Sequence, residues 1–246
     1  MAKTLILIPS RMAATRLPGK PLLKIDNLSI VSHVFKRAEE ANIGEVVVAT
    51  EDQEILEDVL KNGGKAVLTS KNHKTGTDRI FEAFQTLNIK NIDYILNLQG
   101  DEPNIDKDDI INLNNLMINS KSEIGTLAAT IRDDKMLNNK NVVKVITESK
   151  LEVNNFPKAL NFTRDNFSIN NKNIYHHIGI YSYKASTLEK FVSLDQTNNE
   201  KENQLEQLRA LDNKLKINVA LAKSSPIGVD TEEDYLAIKK IMEYKL

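Results

Sequence analysis

What most limits the folds open to this chain is the order in which short aliphatic runs alternate with helix-period segments. Thr4–Ile8 is an unbroken run closed by Pro9, the pattern of a strand buried on both faces. Ile30, Val31, Val34, Phe35 and Ala38 then recur at helical spacing, up to Gly44. Glu45–Thr50 reads as the next strand. Asp52 reads as the N-cap of a helix with Leu56, Val59 and Leu60 inward, ended by Gly63 and Gly64. Strand Lys65–Leu68, helix Asp78–Leu87, strand Ile92–Leu98, a helix from the cap Asp106 through Met117, and strand Gly125–Ile131 continue the alternation. Such repetition predicts an α/β fold, a mostly parallel Rossmann-like sheet flanked by helices.

The second half changes character. Val142–Thr147, Ala159–Phe162 and Ile174–Tyr183 read as strands with little helix between them. Helices Ala185–Leu194 and Glu202–Leu211, strand Lys216–Ala222 and a closing helix from Asp230 with Tyr235, Ile238, Ile241 and Met242 follow. The expectation is one domain, 1–246, with a smaller β-rich arm at about 132–183.

Charge narrows the partners. Lys and Arg number 33 against 34 Asp and Glu, which argues against nucleic acid or a membrane surface as a general partner. Any anion site must be a local cluster. The absence of cysteine excludes disulfides, zinc–thiolate sites, iron–sulfur clusters and thiol nucleophiles. Apolar runs of about four residues fall far short of the ~20 that span a bilayer. The N-terminus also lacks the long apolar stretch of a secretory signal, so a cytoplasmic location is expected.

In open α/β sheets ligands bind beyond the carboxyl ends of strands. The loop after the first strand, Pro9 to Pro21, carries Arg11, Arg16 and Lys20 on a Pro/Gly-shaped path. Three converging cations suit a di- or triphosphate, the Arg forks gripping oxygens and Lys supplying a point charge. A Walker A loop is excluded by Ala14 and Pro21, and no GxGxxG follows the strand. The fourth strand runs into Gly100, where a sharp turn would leave Asp101 at the sheet edge as a hard oxygen ligand for Mg²⁺. Asp230 reads alone as a helix cap with Glu233 completing a capping box. Together with Asp101 it supplies a second carboxylate for a Mg²⁺–triphosphate.

The blocks IPSRMAATRLPGKPL, HKTGTDRI, NLQGDEP, NVVKV, HIGIYSY, LEQLRAL and GVDTEED, in that order and spacing, resemble the 3-deoxy-manno-octulosonate (Kdo) cytidylyltransferase family over nearly the whole chain. The resemblance implies the nucleotide-diphospho-sugar transferase type of sheet. It also implies transfer of CMP from CTP to the anomeric hydroxyl of a 3-deoxy-2-ulosonic acid, for lipopolysaccharide synthesis, by a Mg²⁺-dependent homodimer. It places Arg11 and Lys20 on the triphosphate, with Ser10 and Arg16 beside them, and Thr75, Gly76, Thr77 and Arg79 around the nucleotide. Asp101 and Asp230 hold Mg²⁺, and with Arg11 and Lys20 they make up the catalytic set. Gln99, His177, Tyr181, Glu206 and Gln207 line the sugar-acid pocket. His177 is a candidate general base, although a histidine on a strand is more often packed.

Two departures fall on the acceptor side. Phe162 to Phe167 lacks the family's Ile-Pro and leads into a short Asn-rich stretch at 168–173, and His176 stands where Arg is common. An 8-amino form of Kdo or a sialic acid as acceptor would leave the CTP loop untouched. A non-catalytic nucleotide-binding regulator is the alternative from another class.

Overall fold

The computed structural model describes residues 2–13, 16–166 and 173–243. In chain order the elements are β1 (Thr4–Ser10), β2 (Lys24–Ile25), β3 (Leu28–Ser29), α1 (Ile30–Glu40), β4 (Gly44–Thr50), α2 (Gln53–Lys61), β5 (Ala66–Leu68), α3 (Gly76–Leu87), β6 (Tyr94–Asn97) and α4 (Lys107–Ser120). There follow β7 (Ile124–Thr130), α5 (Asp134–Leu137), β8 (Lys144–Thr147), β9 (Ala159–Thr163), β10 (Ile174–Lys184), α6 (Ala185–Val192), α7 (Asn198–Asn203), α8 (Gln207–Asp212), β11 (Ile217–Leu221) and α9 (Glu232–Glu243). A single 3₁₀ turn covers Lys20–Leu22. The result is the expected α/β fold, a mostly parallel sheet flanked by helices.

The chain divides into two units, residues 1–110 with 226–246, and residues 111–225. In the first, β6, β1, β4 and β5 lie side by side, all parallel. Leu5, Ile6, Leu7 and Ile8 of β1 are wholly buried, as the unbroken run requires, each contributing ~1.5–3 kcal/mol of transfer free energy. Ser29 caps α1 by accepting from the Ser32 amide at 3.2 Å. The β2–β3 hairpin was not expected. Its signal is Asp26-Asn27, both at positive φ (46° and 64°), the two-residue turn that suits a tight hairpin. Ile25 and Ile30 pack with Val229 and Ile238 into a small core that seats the 226–243 segment beside the loop after β1.

In the second unit β7 is central, with β11 parallel on one side and β10 antiparallel on the other. β8 pairs with β10, and β9 with β8, both antiparallel. Between Ile178 and Tyr181 the β10 register slips against Leu127 and Thr126, a bulge of two extra residues. Thr126 stitches it by donating toward the Ile178 and Ile180 carbonyls at 3.2 and 2.7 Å.

Three local expectations are corrected. Glu202–Leu211 is not one helix: Gln204 adopts a left-handed conformation at φ 53°, ending α7, and α8 starts afresh at Gln207. The break accompanies a buried ion pair in which Arg209 donates to Glu200 through two nitrogens at 2.8 and 2.6 Å. Asp52 stands at the N-cap position of α2 but makes no side-chain cap; its carboxylate reaches the Met12 amide at 2.7 Å. Asp230 and Glu233 form no capping box. Thr231 accepts from the Asp234 amide at 3.2 Å, and Asp234 accepts from the Asp230 and Thr231 amides at 3.2 and 2.9 Å.

Candidate active site

Residues at the carboxyl ends of β1 and β6, the start of α3 and the approach to α9 enclose a cavity of about 370 Å³ in the first unit. Ser10 and Arg11 leave β1 directly into it. The following loop is closed by the Gly19 amide donating to the Met12 carbonyl at 3.3 Å. Gly19 takes φ +73°, a conformation costly for any residue with a Cβ, and so turns the chain into the short helix carrying Lys20. At Gly100 the expected sharp turn is not the reason for glycine. A Cβ there would sit 2.9 Å from the Pro9 carbonyl, so glycine lets the loop after β6 lie against the end of β1.

Lys20 is the centre of the charge arrangement. Its Nζ donates to Asp101 Oδ2 at 2.6 Å, to the Val229 carbonyl at 2.8 Å and to Asp230 Oδ1 at 3.1 Å. Burial alone would lower its pKa, but the charges of Asp101 and Asp230 and their hydrogen bonds outweigh that and raise it. Arg16 joins from the exposed side, donating to Asp230 Oδ2 at 2.8 Å. Because Thr231 and Asp234 cap α9, Asp230 is left available for these cations. The Val229 amide in turn donates to the Asp101 carbonyl at 2.9 Å, fastening the approach to α9 onto the loop after β6.

The opposite wall is the start of α3. Thr75 caps it, accepting from the Asp78 amide at 3.1 Å, and Thr75 and Gly76 line the cavity, which places the positive end of the helix dipole beside it. Arg79 also lines the cavity, but is 3% exposed and committed elsewhere: to Glu51, to Thr69 Oγ1 at 2.7 Å and to the Ser70 carbonyl at 3.3 Å. Thr77 is buried and outside the lining.

Of the residues expected around the nucleotide, Ser10, Arg11, Arg16, Lys20, Thr75, Gly76, Arg79 and Asp101 therefore meet in one cavity, joined by Asp230 and Gln99. His73 was missed. It lines the same cavity, its Nε2 paired with Glu82, and its signal was its place at the head of HKTGTDRI. Next to Asp101 but outside the lining, Glu102 has its Oε2 buried without a hydrogen-bond partner among the described residues. Burial first, then the Asp101 charge, push its pKa up to about 8.

The other expected acceptor residues belong to the second unit. His177 and Tyr181 lie on one face of β10, ring centroids 5.5 Å apart, and the charge of Glu206 reaches the Tyr181 hydroxyl. Glu206 precedes α8, where Arg209 donates to it at 3.4 Å, and Gln207 is the first residue of that helix. The Tyr181 hydroxyl is buried beside the Thr126 hydroxyl, which lies 3.1 Å from His177 Nε2 and donates toward the Ile178 and Ile180 carbonyls. The base role for His177 is not supported. Burial first, then His176, lower its pKa to about 3, and its Nε2 lies 3.1 Å from Thr126 Oγ1, packed edge-on against Phe162. The Asn-rich stretch at 168–173 lies outside the described residues except Asn173.

Parallel strand ends, a capped helix start and a cationic loop around one cavity are the fold and site of the nucleotidyltransferase class. The family model described as cytidylyltransferase matches residues 5–217. The 3-deoxy-manno-octulosonate cytidylyltransferase of Rhodopseudomonas palustris (strain BisB5) is 43% identical over 242 residues, covering 98% of both chains. The enzyme of the same name from Afipia carboxidovorans is 44% identical over 240 residues, 97% of this chain and 96% of that one. A solved CMP:2-keto-3-deoxy-manno-octonic acid synthetase complexed with CTP superposes with a TM-score of 0.90 at 33% identity, covering 100% of both chains. The chain belongs to the cytidylyltransferase family, among the 3-deoxy-manno-octulosonate cytidylyltransferases.

Proposed function

We propose that this protein transfers CMP from CTP to the anomeric hydroxyl of Kdo, releasing pyrophosphate and supplying the activated sugar for lipopolysaccharide synthesis in the cytoplasm. The observation that carries the reading is the Lys20 ammonium held between Asp101 and Asp230 at a cavity lined by Arg11 and the start of α3. That arrangement suits a bound triphosphate, and the names of the relatives supply the acceptor.

In this reading Arg11 and Arg16 grip phosphate oxygens, Lys20 supplies a compact charge, and the positive end of α3 completes the cradle. The acceptor hydroxyl attacks the α-phosphorus in line, and negative charge grows on the departing pyrophosphate. Positioning and fixed positive charge lower the barrier; no covalent enzyme intermediate is required. Asp101 and Asp230 fit a Mg²⁺ ion by their donor set, two carboxylates already converging on one cation in Lys20. When bound, Mg²⁺ would add Lewis-acid stabilisation of the phosphate oxygens. His177, Tyr181, Glu206 and Gln207, which the resemblance gives to the sugar acid, are assigned to the acceptor. His177 acts there as a neutral hydrogen-bonding group.

Self-association as a homodimer belongs to the same reading. Leu160 on β9 and Val153 are 60% and 67% exposed, apolar side chains that a second copy would cover. Among the described residues no helix is long and apolar enough to cross a membrane.

The test is pyrophosphate release with CTP, Mg²⁺ and one acceptor at a time: Kdo, 8-amino-Kdo or a sialic acid. Release that needs CTP, Mg²⁺ and Kdo together supports the assignment. Release with a sialic acid and none with Kdo would overturn the acceptor, and no release with any acceptor would overturn the enzymatic reading.

A further inference from the structure

Asp52 lies outside the cavity lining, yet its carboxylate is committed to the loop that carries the three cations. The end of β1 runs beside the end of β4, Ser10 opposite Thr50. Thr50 is fully buried, and its Oγ1 accepts from the Asp52 amide at 3.1 Å, which fixes the first residues beyond β4. From that footing Asp52 Oδ2 accepts from the Met12 amide at 2.7 Å, a charge-assisted bond. The Met12 carbonyl in turn accepts from the Gly19 amide at 3.3 Å. Both polar groups of one residue are therefore used, one to the sheet and one to close the loop. Arg11 directly precedes that residue, and Lys20 directly follows Gly19.

A carboxylate near a triphosphate site is electrostatically unfavourable, and this one has given up capping its own helix. We infer that Asp52 is a positioning residue: by tethering the Met12 amide beside the end of β4 it fixes where Met12 and Gly19 meet, and through them the placement of Arg11 and Lys20 for a nucleoside triphosphate. It touches no substrate. The inference rests on the functional reading only for the identity of the ligand.

Without the tether the loop samples other paths, and the cost falls on nucleotide binding more than on the chemical step. Asp52→Ala should raise the KM for CTP roughly tenfold, the size expected for a lost hydrogen bond to a charged group, with kcat within about threefold of the parent. Asp52→Asn retains an acceptor of the same length and should recover most of that loss.

Backbone amide exchange at Met12, followed by NMR on the full-length nucleotide-free protein, gives a second readout. In the parent the amide should be protected by at least ~100-fold, and in Asp52→Ala it should exchange at least ~tenfold faster. An unprotected Met12 amide in the parent overturns the inference without any variant. So does an Asp52→Ala protein whose Met12 exchange or KM for CTP matches the parent. Because exchange is measured without nucleotide, a parent enzyme that failed to turn over CTP would sink the functional reading and leave the tether standing.

Discussion

Lys20 Nζ lies 2.6 Å from Asp101 Oδ2, so the loop after β1 and the loop after β6 are joined by an ion pair at the mouth of the cavity. Asp230 shares the same ammonium at 3.1 Å. The two carboxylates assigned to the metal are thus held together by a residue assigned to the triphosphate. Lys20→Met should lower CTP-dependent turnover by ~10² or more, as loss of a group that stabilises transition-state charge does. Steady-state pyrophosphate release checks this, and near-normal turnover would remove Lys20 from the catalytic set.

Asp101→Asn should reduce kcat by at least ~10², since metal charge stabilisation is worth several kcal/mol. Titration with EDTA should abolish activity in the parent, and added Mg²⁺ should restore it. Activity that survives chelation would refute the metal assignment for both Asp101 and Asp230.

The cap of α9 and the ligand role of Asp230 separate cleanly. Thr231→Ala should cost about 1 kcal/mol of stability, a fall in Tm of about 2–4 °C, because it removes the hydroxyl that accepts from Asp234. Asp230→Ala should leave that cap in place and instead impair turnover. Thermal melts and initial rates on the two variants read the two effects apart. An Asp230→Ala melt as low as that of Thr231→Ala would contradict the capping assignment.

In the second unit Arg209 and Glu200 are each 4% exposed at the side chain and joined through two bonds. Arg209→Met leaves Glu200 buried and uncompensated, and should destabilise the protein by ~3–5 kcal/mol in urea unfolding. Combining it with Glu200→Met should recover part of the loss, since the penalty lies in the unpaired charge. A double variant no more stable than the single one would show that packing around Phe191, on which the Arg209 guanidinium rests at 4.8 Å, dominates.

His177 ties stability to acid. Its pKa is about 3 in the folded protein, lowered by burial, against an ordinary 6.5 when unfolded. Between those values the unfolded chain binds a proton that the folded one refuses, so stability is intact above pH 6.5 and declines as pH falls toward 3. The slope is at most ~1.4 kcal/mol per pH unit for one group. Denaturant melts at several pH values should show a shallower acid decline in His177→Gln than in the parent, and parallel declines would place the effect elsewhere.

Much of the frame was legible because its signals are local. An unbroken run such as Leu5–Ile8, closed by Pro9, suits a doubly buried strand, and three cations on the loop after it are either solvated or face an anion. What escaped depends on contacts across the chain. Asp52 and Asp230 both carry the sequence mark of a cap, and both spend their carboxylates on partners 40 or more positions away in sequence. The spacing of Glu202–Leu211 reads as one helix because the buried partner of Arg209 lies on the far side of the break. Arg79 reaches the cavity as its motif implies, but its bonds to Glu51 and Thr69 could not be read from the sequence.

The bulge in β10 has a further consequence, one of parity. Two residues are added between Ile178 and Tyr181, an even number, so the strand resumes with its faces unchanged and Tyr181 comes up on the same side as His177. Removing one of the two would turn Tyr181, Ser182 and Tyr183 over, carrying Tyr181 away from His177. Removing both would keep the faces but erase the Ile180 carbonyl, the nearer of the two to which Thr126 donates. Length variation at this point of the chain is therefore quantised: the strand tolerates changes in pairs, and the stitch by Thr126 selects this one.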